Sequence, residues 1–156
     1  MAKNGQHTPE TEEYGFSSFA FRDQRPFHPN RFWRWINARF PNNIVRSKGF
    51  FWLASRPDQA LFWSQAGGSL RYDSAGTWWA AIPAEEREQM PEFHAAFESL
   101  QKRWSPIWGD RKNELVFIGQ DMDKERIYAG LERCLLQDWE IEMWREGEPF
   151  EDPFPN

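Results

Sequence analysis

Apolar residues fall along this chain in two rhythms, and the alternation between them predicts its elements. Phe32, Trp35, Ile36 and Phe40 recur at i, i+3, i+4 and i+8, the spacing of one helix face, which predicts a helix over residues 29 to 40. Pro29 suits its first turn and Pro41 its stop. A second stripe, Ile127, Leu131, Cys134 and Leu135, predicts a helix over 123 to 135 with Asp123 as its N-cap. Gly130 lies on that stripe at a propensity cost of about 1 kcal/mol, which points to a close helix-to-sheet approach. Phe93, Ala96, Phe97, Leu100 and Trp104 mark a third helix, opened by Pro91.

The other rhythm is short and dense. Phe50 to Ala54 is apolar throughout, too short for a core helix and rich in aromatics, and is read as a strand covered on both faces. Similar patterns predict strands near 16 to 22, 44 to 54, 60 to 73, 77 to 82 and 114 to 119, with turns at Arg56-Pro57-Asp58 and Asp73 to Gly76. Gly67-Gly68 admits two readings. A hairpin turn there sets Trp63 opposite Tyr72, whereas a bulge makes 60 to 73 one long bent strand. Together these elements predict an α+β fold, a two-layer, mostly antiparallel sheet of ferredoxin-like character with helices 29 to 40 and 123 to 135 on one face. Residues 1 to 13 read as a polar, linker-like arm, 14 to 137 as the domain, and 138 to 156 as an acidic, proline-containing tail.

Composition narrows the classes. A chain of 156 residues buries roughly 68–70% of its unfolded surface as one domain, without staples. Its one cysteine, Cys134, excludes an intramolecular disulfide and a thiolate quartet for zinc. No apolar run approaches the ~20 residues of a membrane span, and the first residues lack a signal-like apolar stretch, so the expected location is the cytoplasm.

The net charge of −5 is uneven. Arg22 to Lys48 holds seven basic residues against Asp23 alone, whereas Asp138 to Asp152 holds seven carboxylates against Arg145. Arg31, Trp33, Arg34, Arg39, Arg46 and Lys48 are the candidate partner-binding residues. They form a basic, aromatic mixture suited to an acidic partner or to stacking on single-stranded nucleic acid. The acidic whole and the ordinary packing of arginine over tryptophan argue against nucleic acid.

Catalytic motifs are missing. There is no G-x-x-x-x-G-K-[ST] loop, and Ala66-Gly67-Gly68-Ser69 lacks the lysine and spaced glycine that cradle phosphates. No G-x-S-x-G elbow announces a nucleophile. His7, His28 and His94 are scattered; His7 with Glu10, Glu12 and Glu13 is the one local cluster of metal donors, and His7, Glu10 and His28 are the weak candidate ligands. The chain is expected to be non-enzymatic and to hold no cofactor.

The strings HTPETEEYGFSSF, RPFHPNRFWRW, VRSKGFFWLASRPD, WSQAGGSLR, GDRKNELVFIGQDMD and the final DPFP, taken in order, resemble the C-terminal domain of CobW-type GTPases, which are similar to zinc metallochaperones. The resemblance spans residues 7 to 156. It implies an α+β domain that follows a P-loop GTPase domain, packs beside it in cis or in trans, and helps contact a metal-receiving client. GTP and zinc are implied only for that GTPase domain, whose P-loop and Cys-x-Cys-Cys site have no counterpart in this sequence. His7 and Glu10 fall in what resembles the interdomain linker, which implies that Met1 begins a fragment, a split gene or a stand-alone relative. The resemblance also tilts Gly67-Gly68 toward a bulged strand and marks Ala84 to Trp108 as an insertion.

Overall fold

The computed structural model describes residues 15–156. A five-stranded sheet forms the frame, from β1 (Phe16–Asp23), β2 (Ile44–Phe51), β3 (Gln59–Ala66), β4 (Ser69–Thr77) and β5 (Asn113–Gln120) in the order β1-β5-β2-β3-β4. Every neighbouring pair is antiparallel. β1 and β2 therefore run parallel with β5 between them, a split crossover whose connection is helix α1 (Pro29–Ala38), as the ferredoxin-like expectation requires.

One sheet face is dry. Phe21, Leu115, Phe117, Phe51, Leu61 and Trp63 point from it into the core, where Phe32 and Trp35 of α1 meet Ile127, Leu131 and Cys134 of a second long helix, Lys124–Cys134. Both helical stripes are thus buried as the periodicity predicts, and Asp123 caps the second by accepting from the Arg126 backbone N–H at 3.2 Å. Between β4 and β5 lie a 3-10 turn (Trp79–Ala81), helix α2 (Ala84–Arg87) and helix α3 (Pro91–Arg103); the long helix just described is α4, and α5 is Asp138–Arg145.

Three expectations are corrected. Gly67-Gly68 is a hairpin turn and not a bulge: Ala66 pairs with Ser69 and Trp63 with Tyr72, and Gly67 takes φ 59°. A buried polar chain holds it, because Trp63 Nε1 donates to Ser47 Oγ (2.7 Å), Ser47 Oγ donates to Gln65 Oε1 (2.7 Å), and Gln65 Nε2 donates to the Gly67 carbonyl (2.8 Å). Register breaks occur elsewhere, at Ile44/Arg46 and Ala60/Leu61. Residues 77 to 82 are no strand beyond Thr77, because the Asp110 carboxylate accepts from the backbone N–H groups of Trp79 and Ala80, both at 2.9 Å, and curls them into the 3-10 turn. The 44 to 54 strand ends at Phe51; Leu53 instead bridges to Phe27, which also bridges to Leu135.

Residues 138–156 are closely applied to the rest. Arg31 grips Glu140 with two nitrogens at 2.6 and 2.8 Å, and Gln137 and Glu140 form a capping box that starts α5. Trp144 packs with Trp52 and Trp108 at centroid distances of 5.7 and 5.1 Å. Further on, Asp152 accepts from Arg56 (2.7 Å) and Ser55 (2.6 Å), and Phe154 enters the core against Phe32, Phe51 and Tyr72. Among the described residues no helix is long and apolar enough to cross a membrane.

Candidate interaction surface

Among the described residues no helix stripe covers the second face of the sheet, and side-chain alternation determines what it shows. Strand pairing places Arg22, Glu114, Phe50, Phe62 and Asp73 in one row across it, Ala20, Val116, Lys48, Ser64 and Arg71 in the next, and Ser18, Ile118, Arg46 and Ala66 in the third. Phe50, Val116 and Ile118 remain 44%, 40% and 42% exposed. Phe50 and Phe62 meet edge to face at 5.5 Å, a cross-strand pair that stiffens the patch. Phe50 therefore departs from the reading that its strand is covered on both faces, which holds for Phe51 and fails one residue earlier.

Charge around this patch is mostly basic. Glu114 is taken by Arg22 at 2.7 Å and Lys112 at 3.5 Å, and the Arg22 hydrogen bond holds its carboxyl below the usual range in spite of partial burial. Arg46, Lys48 and Arg71 form no ion pair among the described residues. The surface is thus an apolar strip edged by free cations, suited to burial against another protein face with carboxylates at its rim.

The structure disperses the sequence candidates. Arg46 and Lys48 sit together on the open sheet face. Arg31 is spent on Glu140 and on the Arg133 and Leu135 carbonyls at 3.0 Å each. Trp33 packs against Phe154 at 4.8 Å, so its ring is no free stacking platform. Arg34 and Arg39 lie on the helix layer, on the far side of the molecule from Lys48. No single basic, aromatic patch joins the six.

Metal ligation fares no better. His28 is an N-cap: its Nδ1 accepts from the Arg31 backbone N–H at 3.4 Å, and its Nε2 lies 3.7 Å from Glu140 Oε2. Burial, reinforced by the Arg31 charge, lowers its pKa in spite of Glu140. His7 and Glu10 lie outside the described residues. Among those described, no group of three or more His, Cys, Asp or Glu side chains could hold a metal ion, and Cys134 is buried with its pKa pushed up to about 11. Periodicity missed Phe50, Phe62, Val116 and Ile118 as surface residues because apolar runs look alike whether one sheet face or both are covered; the interleaved Arg46, Lys48 and Glu114 were the available signal.

Comparison with known proteins agrees with this architecture. The family described as the cobalamin synthesis protein cobW C-terminal domain matches residues 16–135. The chain is 37% identical over 149 residues to zinc-regulated GTPase metalloprotein activator 1 of Dictyostelium discoideum, covering 90% of this chain and 30% of that protein. It is 34% identical over 134 residues to a zinc chaperone of Mycobacterium tuberculosis, covering 86% of this chain and 33% of the relative. The crystal structure of Zn(II)-bound YjiA GTPase from E. coli superposes with a TM-score of 0.52 at 15% identity, over 87% of this chain and 35% of that one; a triple mutant of the same GTPase gives 0.54 at 14%. The chain thus spans about a third of the length of these relatives. With the split-crossover sheet, the two covering helices and a family match over most of its length, the chain belongs to the cobalamin synthesis protein cobW C-terminal domain family.

Proposed function

We propose that this domain is a non-catalytic interaction module of a CobW-type, zinc-handling GTPase system, which packs on a GTPase domain in cis or in trans and helps contact a metal-receiving client. The observation that carries this reading is the open sheet face, where Phe50, Val116 and Ile118 lie exposed beside the half-buried Phe62 and among Arg46, Lys48 and Arg71. Burying such a strip yields roughly 25 cal/mol per Å² before the costs of association, and the free cations set orientation and encounter rate. The names of the relatives, a zinc-regulated GTPase metalloprotein activator and a zinc chaperone, support the choice of partner. In this proposal GTP and zinc belong to the partner domain.

The test is co-elution and calorimetry with a separately produced CobW-type GTPase domain, in GTP, in GDP and with zinc. Association in at least one state is expected, and Phe50→Glu together with Val116→Glu should weaken it about 100-fold or more in a variant that circular dichroism and melting show to be folded, because a buried charge without a partner is costly. Absence of association in every state, or association indifferent to both substitutions, overturns the reading.

A further inference from the structure

Helices α1 and α4 pack side by side on the dry face of the sheet, and the groove between their outer surfaces is lined by arginines. Arg39, Arg126 and Arg133 line a hollow of about 490 Å³, and Arg34 lines its continuation past Trp35, Gly130 and Cys134. All four are exposed and none forms an ion pair among the described residues. Such a cluster is a local concentration of positive charge in a protein of net charge −5, able to attract an anionic partner at low salt.

The floor of the groove points to what that is. Trp35 is 6% exposed, and its indole N–H, which makes no hydrogen bond among the described residues, is reached by solvent from the groove. It borders the space left by Gly130, where an added Cβ would stand 3.1 Å from Trp35 Nε1 and 3.9 Å from Arg133 Nη2. A neutral donor and a guanidinium thus converge on a notch that exists because residue 130 has no side chain. Donors alone meeting in one notch, with further guanidinium groups around it, suit a carboxylate.

We infer that the α1–α4 groove docks an acidic peptide segment, with one carboxylate seated over Gly130 between Trp35 and Arg133 and others along Arg34, Arg39 and Arg126. Asp121 and Asp123 line one end of the hollow, and Asp123 is occupied in capping α4. Trp33 and Trp35 are both packed away from base stacking, so the chemistry favours a peptide over a nucleic acid. The groove belongs to the helix layer, so this site is separate from the open sheet face and stands whether or not that face docks a GTPase domain.

Fluorescence anisotropy of a labelled hexaglutamate peptide with the full chain at low salt tests the proposal. Saturable, salt-sensitive binding is expected, weakened about tenfold or more by Arg39→Gln with Arg133→Gln and by Gly130→Ala, and unchanged by Lys102→Gln on α3. Melting temperature and circular dichroism identify folded variants, and the surface arginine pair keeps the test valid if Gly130→Ala does not fold. The proposal is overturned by no saturable binding, by groove variants that bind like the wild type, by an equal loss in Lys102→Gln, or by an oligothymidylate that binds more tightly than the peptide and depends on the same arginines.

Discussion

Several side chains here are decided by what surrounds them more than by what they are. Arg111 is 8% exposed and has no carboxylate at hydrogen-bond distance; its Nε donates to the Pro57 carbonyl at 2.7 Å, and its guanidinium lies over the rings of Trp52 and Trp144 at 5.4 and 5.6 Å. Burial lowers its pKa against the pull of Asp110 and Asp58, yet the carbonyls and aromatic faces keep the cation. Arg111→Ala should cost about 2–4 kcal/mol by urea unfolding, because it removes the cation–π contacts and opens a void among the tryptophans. Cys134 makes the opposite case: burial disfavours the thiolate, so alkylation at pH 8 should be slow in the native chain and rapid in denaturant, and equal rates would show the thiol exposed. Gly49 is a demand of the backbone, with φ 150° and the Glu114 carbonyl oxygen 1.9 Å from the place a Cβ would take. Gly49→Ala should therefore cost about 3 kcal/mol or more, or prevent folding, as thermal melting would report.

At the scale of elements, the C-terminal segment behaves as a strap. In the stretch read from the sequence as an acidic tail, Asp152 is held by Arg56 and Ser55, Phe154 sits among core aromatics, and Tyr72 donates to the Pro155 carbonyl at 2.8 Å. Burial alone would raise the Asp152 carboxyl; the bonds from Arg56, Ser55 and the Phe154 N–H outweigh it and hold its pKa below the ordinary aspartate value. Glu140 is likewise raised by burial and carried below the ordinary glutamate value by Arg31 and the Gln137 N–H. Both native values are depressed, so their contribution is full above the unfolded pKa values and is lost as pH falls through the native ones. The urea midpoint should therefore drop as pH is lowered past about 4, less steeply in Asp152→Asn, which should itself cost about 1–3 kcal/mol at neutral pH. In the sheet, Phe117→Ala should cost about 3–5 kcal/mol, because the ring is fully buried and stacks on Phe19 at 5.2 Å. A loss below about 1 kcal/mol would contradict its central position.

For the molecule as a whole, the layering creates two surfaces of different character, an apolar strip edged by cations on the bare sheet and an arginine groove over the helices. Neither was legible as a unit in the sequence, although Arg34, Arg39, Arg46 and Lys48 were singled out there. Arg31, Arg34, Arg39, Arg46 and Lys48 look like one patch because they are neighbours along the chain. The crossover through α1 sends Arg34 and Arg39 to the helix layer and Arg46 and Lys48 to the opposite face of the sheet, while Arg31 turns to Glu140, 109 residues later. Local periodicity determined the two covering helices with their buried stripes and the existence of three of the strands, since those depend on side-chain direction within a few residues. The hairpin at Gly67-Gly68 and the 3-10 turn at Trp79 depended on partners far along the chain, Ser47 in one case and Asp110 in the other. Likewise a run such as Phe50-Phe51 states that its residues are apolar, but which of them faces water depends on whether a second layer covers that side, and only the tertiary structure decides that.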